Sequence, residues 1–202
     1  IPGMLYEKML TSKEKNYLGQ VYTPDEIIKL MLDKTFKIKS INRQTKLLDP
    51  ACGGGYFLIE AFKRIREELK KQNSNSSIEE IDKYILENII YGNDMDEFSV
   101  FLTKMGLLFN SNCTDACLNI YNKDFIVDEH KLLFNEKFDI IIGNPPYIGH
   151  KKTDINYKKI LLDKYYDVYH DKSDISYCFF KKGKELLENG GYLSFITSRY
   201  FM

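Results

Sequence analysis

The stretch Asn144-Pro145-Pro146-Tyr147 holds the residues whose types and spacing best suit chemistry. It follows the apolar run Phe138-Asp139-Ile140-Ile141-Ile142-Gly143, which reads as a buried strand because it is short, β-branched and closed by a turn signal. Two prolines forbid both helix and continued strand, and each pushes its predecessor toward extended geometry. Asn144 and Tyr147 therefore project from a stiff turn at the carboxyl edge of a sheet. An amide, a locked turn and an aromatic ring together suit a flat group bearing an amine. The amide oxygen and a nearby backbone carbonyl can accept the two amine hydrogens, and the ring can stack on the plane.

Three further strand ends offer matching chemistry. Asp49-Pro50-Ala51-Cys52-Gly53-Gly54-Gly55 lies between a short strand and a helix. Glycines there let a ligand approach the backbone, and a helix N-terminus favours an anionic group. The turn has neither the Lys-Ser/Thr of a phosphate-binding loop nor the third glycine of a dinucleotide fingerprint, where Leu58 stands. Asp49 would repel a pyrophosphate but suits a ligand amine, so the pattern points to an amino-acid-like ligand and away from a nicotinamide dehydrogenase. In Gly92-Asn93-Asp94-Met95-Asp96, Asp94 can take both hydroxyls of a ribose, Met95 can lie on a base, and Asp96 can cap the next helix. Asp124-Phe125 joins a carboxylate suited to an exocyclic amine to a ring suited to an aromatic contact.

The elements that must hold these residues alternate between strand and helix, the mark of an α/β fold with a mostly parallel sheet and helices on both faces. Helices are expected over 25–36, 56–71, 78–88, 97–109 and 174–188, and strands over 46–49, 89–93, 118–121, 138–142 and 192–197. Thr23 is expected to cap the first helix, with Pro24 at its first position and Glu26 at its third. Asn189-Gly190-Gly191 is expected to end the last helix. The segment 148–172 reads as partly helical and partly mobile.

Composition sets the remaining bounds. The 202 residues fit one domain with a real core, and 44% hydrophobic with 29% charged residues is ordinary for a globular protein. No segment has the length of a transmembrane helix, and the first residues lack the regions of a signal peptide, so a cytoplasmic chain without membrane contact is expected. Cys52, Cys113, Cys117 and Cys178 lack metal-ligand spacing and read as free thiols; His130, His150 and His170 are isolated. The balance of 29 basic and 29 acidic residues does not announce a nucleic-acid partner, which speaks against a self-sufficient DNA-binding domain.

In this order the motifs resemble those of the S-adenosylmethionine-dependent N6-adenine DNA methyltransferases with gamma-type arrangement. The matching stretches are Gly19-Gln20-Val21-Tyr22-Thr23-Pro24, Leu48 to Leu58, Gly92 to Asp96, Asp124-Phe125, Asn144 to Tyr147 and Gly190 to Thr197. With Asp174-Ile175-Ser176-Tyr177 and Arg199-Tyr200-Phe201, the chain looks most like the methyltransferase part of type II restriction–modification enzymes that also contain a nuclease. Gly54 stands where the family often has serine. The resemblance implies a Rossmann-like catalytic domain over 17–202, after a lead-in over 1–16, cut before its target-recognition domain. It also implies S-adenosyl-L-methionine as cofactor, with no metal, and double-stranded DNA with a flipped adenine as partner of the full-length protein.

The implied site follows residue by residue. Thr23 and the turn residues Asp49, Ala51, Cys52, Gly53 and Gly55 would hold the methionine part of the cofactor. Asp94 would bind its ribose, and Met95, Asp124 and Phe125 would surround its adenine. Asn144, which also borders the cofactor, and the Pro145 carbonyl would grip the target amine; Pro146 stiffens the turn and Tyr147 would stack on the base. Methyltransferases of protein glutamine or ribosomal RNA share Asn-Pro-Pro-Tyr, and a non-catalytic module of a larger assembly is a further reading. The Tyr22-Thr23-Pro24 helix start favours the DNA branch, and the intact Asn-Pro-Pro-Tyr favours catalysis.

Overall fold

The computed structural model describes residues 23–73, 75–128, 136–148, 153–170 and 173–197. Gly19 to Tyr22, His130, His150 and Arg199 to Phe201 lie outside the described residues. The elements are α1 (Asp25–Ile38), β1 (Leu47–Asp49), α2 (Tyr56–Gln72), α3 (Ile78–Tyr84), β2 (Ile90–Asp94), α4 (Glu97–Asn110), β3 (Asn119–Asn122), β4 (Phe138–Gly143), α5 (Ile155–Lys164), α6 (Ser176–Leu186) and β5 (Leu187–Phe195). The five strands form one sheet in the order β3-β2-β1-β4-β5, and every neighbouring pair is parallel.

Side-chain alternation along the strands sorts the core into two layers. Leu47, Ile90, Ile140 and Ile142 join one apolar cluster with Ile28 and Leu32 of α1, Leu58, Phe62 and Ile65 of α2 and Leu107 of α4. Leu48, Tyr91 and Ile141 join a second with Leu161 of α5 and Cys178, Phe179 and Leu186 of α6. Helices thus cover both faces, and the central strands β1 and β4 are almost wholly buried and rich in leucine and isoleucine because neither face meets water. Across the first layer, Arg66 on α2 meets the fully buried Asp82 on α3, Nε to Oδ1 at 2.5 Å and Nη2 to Oδ2 at 2.9 Å. The backbone and side-chain nitrogens of Asn112 also donate to Asp82 Oδ2, at 2.8 and 3.0 Å. This network joins the α2–α3 pair to the end of α4.

Three local expectations are corrected. Thr23 does not cap α1: the cap position is Pro24, with no side-chain bond, because the Thr23 hydroxyl is taken by Asn144. The helix expected over 78–88 starts with a capping box between Ser77 and Glu80, but keeps α geometry only to Tyr84 and widens into a π-turn over Ile85–Ile89. Asn189-Gly190-Gly191 does not end a helix; α6 stops at Leu186 and β5 begins at once. The reason is an irregular register. Phe138 pairs with Leu187 but Ile140 with Tyr192, so the intervening residues of β5 bulge, and Gly190 takes the left-handed φ of 75° that the bulge requires. On the other side of β4, the N–H groups of Asp139 and Ile140 both donate to the Lys46 carbonyl, a bulge that puts Phe138 and Ile140 in different core layers. Within 148–172, α5 spans Ile155–Lys164. The other predicted elements agree to within one or two residues at their ends.

The strand order fixes where a ligand can sit. The chain runs from β1 outward through β2 to β3, then returns to place β4 on the other side of β1. Loops leaving β1 and β4 diverge to opposite faces, opening a crevice at their carboxyl ends.

Candidate active site

Asp49 ends β1 inside that crevice and is 1% exposed. Its Oδ1 accepts the Ala51 N–H at 3.1 Å, which closes the start of the glycine turn. Burial pushes the carboxyl up to about 8, against the pull of the Ala51 N–H and with a push from Asp94. On β4, Gly143 lies so close that a Cβ there would be 2.5 Å from Asp49 Oδ1. Glycine at this position lets the carboxyl reach the mouth of the crevice.

The turn is held from outside. Gly53 and Gly55 have φ of 52° and 82°, and α2 starts directly after Gly55. Thr103 in the middle of α4 donates to the Gly53 carbonyl at 2.7 Å and fills the space beside Gly55. The Cys52 N–H donates to the Asn93 carbonyl at 2.9 Å, and burial pushes the Cys52 thiol well up. Asp94, at the end of β2, accepts the Gly53 N–H on Oδ2 at 2.8 Å and the Asp96 N–H on Oδ1 at 2.9 Å. Burial raises Asp94 to about 6, although those N–H groups oppose it. Asp96 caps α4 by accepting the Ser99 N–H at 3.0 Å. Asn93 donates through Nδ2 to the carbonyls of Pro50 and Lys123, while its buried Oδ1 has no partner among the described residues.

After β3, Asp124 Oδ1 accepts the N–H groups of Ile126 and Val127 at 2.9 and 3.1 Å. Tyr157 on α5 hydrogen-bonds the same carboxylate, and burial with that nearby charge pushes its phenol far above the usual range. Phe125 stacks on Phe179 of α6, with ring centroids 5.4 Å apart and planes at 20°.

After β4, Asn144 Nδ2 donates to Thr23 Oγ1 at 3.0 Å, and Tyr147 Oη donates to Asn144 Oδ1 at 2.7 Å. Burial and the charge of Asp174 push the Tyr147 phenol up to about 12, so it keeps its proton at neutral pH.

One cavity of about 520 Å³ gathers these groups, a size typical of small-molecule sites. Of the residues predicted from sequence, Thr23, Asp49, Ala51, Cys52, Gly53, Asp94, Met95, Asp124, Phe125, Asn144 and Pro146 line it. Three do not. Gly55 shapes the turn through its backbone, Pro145 is buried beneath it, and Tyr147 reaches it only through Asn144. Met95 is 61% exposed at the rim. Sequence reasoning missed Asn93, Thr103, Tyr157 and Phe179. Only Asn93 had a local signal, its place beside Asp94 at a strand end.

A parallel sheet with this switch point, a glycine turn after β1 and an acidic residue after β2 defines a Rossmann-like methyltransferase fold. A solved structure from Listeria monocytogenes, described as a candidate class I S-adenosylmethionine-dependent methyltransferase, superposes with a TM-score of 0.65 at 16% identity, covering 96% of this chain and 50% of that one. The family model of the Eco57I restriction-modification methylases matches residues 29–202. The chain belongs to that family. It is 32% identical over 197 residues to Type II methyltransferase M.VspI of Vibrio sp. (strain 343), covering 98% of this chain and 41% of that protein. It is 26% identical over 273 residues to Type II restriction enzyme and methyltransferase RM.Eco57I of Escherichia coli, covering 100% of this chain and 27% of that protein. The chain thus spans well under half the length of either relative.

Proposed function

We propose that this chain is the catalytic part of an adenine-specific DNA methyltransferase of a restriction–modification system, with S-adenosyl-L-methionine as methyl donor. The observation that carries the reading is the Asn144 amide opening onto the same cavity as the Asp49–Gly54 turn and Asp94. The cavity suits the cofactor by its chemistry. A buried carboxyl at Asp49 suits an ammonium, the turn with the start of α2 suits a carboxylate, and Asp94 suits a ribose. Phe125 and Phe179 offer apolar surface for an adenine, and the unpartnered Asn93 Oδ1 offers an acceptor.

When bound, the cofactor supplies a methyl group on a sulfonium, which is both electrophilic and a good leaving group. The chain's own part is to hold the nucleophile. Asn144 Oδ1 and the Pro145 carbonyl accept the two N6 hydrogens of an extruded adenine, which keeps electron density on nitrogen. The Tyr147 ring stacks on the base, and Pro145-Pro146 keeps the turn stiff so that orientation lowers the barrier. Held this way, N6 would face the methyl group that the cofactor would supply, and its surplus proton would leave to water. Sequence reading of the DNA belongs to a target-recognition part of a longer protein, and a nuclease on the same chain accords with the double name of RM.Eco57I. A restriction–modification role accords with a reaction in the cytoplasm.

The test is methyl transfer from labelled cofactor to adenine-containing DNA by the chain and its Asn144→Ala variant. Loss of transfer by about 100-fold or more, with cofactor affinity kept, is the expected result. Equal transfer by the variant refutes the role of Asn144.

A further inference from the structure

Asn144 has a polarity problem. Its side-chain oxygen and nitrogen have nearly the same shape, so the amide can turn over. Only the orientation with Oδ1 toward the target can accept an amine hydrogen; the reverse sets two donors against each other. The Tyr147 hydroxyl cannot decide the matter, since a hydroxyl can donate or accept. Thr23 has the same ambiguity, but its surroundings resolve it. Thr23 is 6% exposed and lines the cavity on the side of the Asn144 Nδ2 group. Its oxygen accepts from Asn144, and among the described residues its own hydroxyl proton has no acceptor.

We infer that Thr23 is a positioning residue through which cofactor binding sets the orientation of the Asn144 amide. The Thr23 hydroxyl donates to the carboxylate of the bound cofactor, accepts the Asn144 N–H, and leaves Asn144 Oδ1 for the target amine. This rests on the proposed methyltransferase reading. A carboxylate only accepts, so once it takes the Thr23 proton the hydroxyl can offer Asn144 nothing but a lone pair. In the structure the Tyr147 hydroxyl donates to Asn144 Oδ1. An arriving amine replaces that donor, so one hydrogen bond exchanges for another. The cofactor and the target base are therefore coupled across two side chains.

The coupling is measured on the whole chain as the affinity for an adenine-containing single-stranded oligodeoxynucleotide, with and without saturating S-adenosylhomocysteine. The wild type is expected to bind the strand about tenfold tighter with S-adenosylhomocysteine, the worth of one well-placed hydrogen bond. Thr23→Val abolishes the gain and Thr23→Ser retains it. A tenfold gain that persists in Thr23→Val overturns the inference. A second measurement needs no oligonucleotide. The side-chain NH₂ resonances of Asn144, assigned by their loss in Asn144→Ala, shift on addition of S-adenosylhomocysteine in the wild type and Thr23→Ser but not in Thr23→Val. No shift in a wild type that binds S-adenosylhomocysteine also overturns it. Failure of the wild type to bind S-adenosylhomocysteine, or full transfer by Asn144→Ala, sinks the functional reading itself.

Discussion

Asp49 makes the proposed cofactor site sensitive to pH. In the free chain burial raises its carboxyl to about 8, so the group holds a proton at neutral pH. A ligand ammonium beside it favours the charged form and returns the pKa toward the ordinary value of about 4. Binding then releases a proton, and affinity rises with pH until the free-chain pKa is reached. Each pH unit below about 7.5 is worth close to tenfold in affinity, or ~1.4 kcal/mol. Calorimetric titration with S-adenosylhomocysteine from pH 6.5 to 7.5, in buffers of different ionisation heat, reads both the slope and the proton count. The expectation is about eightfold tighter binding over that unit and nearly one proton released per ligand. In Asp49→Asn the side chain can still accept the Ala51 N–H, but the slope flattens. Stability moves the other way. A folded pKa above the unfolded one contributes stability that is full below about pH 4 and is lost as pH rises toward about 8, so the free chain melts lower at pH 8 than at pH 5. A pH-independent affinity without proton release would refute this account of Asp49, as would an unchanged slope in Asp49→Asn.

Other expectations follow from single contacts. Asp82→Ala removes the carboxylate shared by Arg66 and the Asn112 nitrogens, leaving Arg66 only the Asn110 carbonyl, and should cost about 3 kcal/mol, a fall of roughly 6–12 °C in Tm by calorimetry. Gly143→Ala sets a methyl group against the Asp49 carboxyl and should weaken S-adenosylhomocysteine binding at least about tenfold; an unchanged Kd would show that the close approach does not matter. Asp96→Ala removes the cap of α4 and should cost about 1 kcal/mol in urea unfolding, with cofactor affinity little changed because Asp94 keeps both of its N–H donors.

What could be read from the chain was whatever neighbours in sequence decide. Apolar runs such as Ile140-Ile141-Ile142 announce a strand buried on both faces, and Gly53 and Gly55 announce a turn with left-handed backbone. Four strand ends with ligand-suited side chains were legible because a strand end is a local event. Thr23 was misread as a cap because its hydroxyl bonds Asn144, a residue far along the chain. The start of β5 was missed because Asn189-Gly190-Gly191 has the composition of a helix stop, while pairing with β4 extends the strand through it. Thr103, Tyr157 and Phe179 lie on helices with no motif around them. Only the fold brings them to Gly53, Asp124 and Phe125.

The contact between Gly143 and Asp49 has a consequence for how such a protein can diversify. Gly143 abuts the carboxyl proposed to meet the donor, and the next residue is the amide proposed to meet the acceptor. Donor and acceptor sites are thus one peptide unit apart on a strand end buried on both sides. No hinge separates them, and a substitution that retunes one disturbs the other. On the proposed reading, variation in which DNA sequence is marked accumulates elsewhere, in parts that deliver a base without touching this strand end. A catalytic unit of this kind is suited to be inherited whole and paired with new readers of sequence.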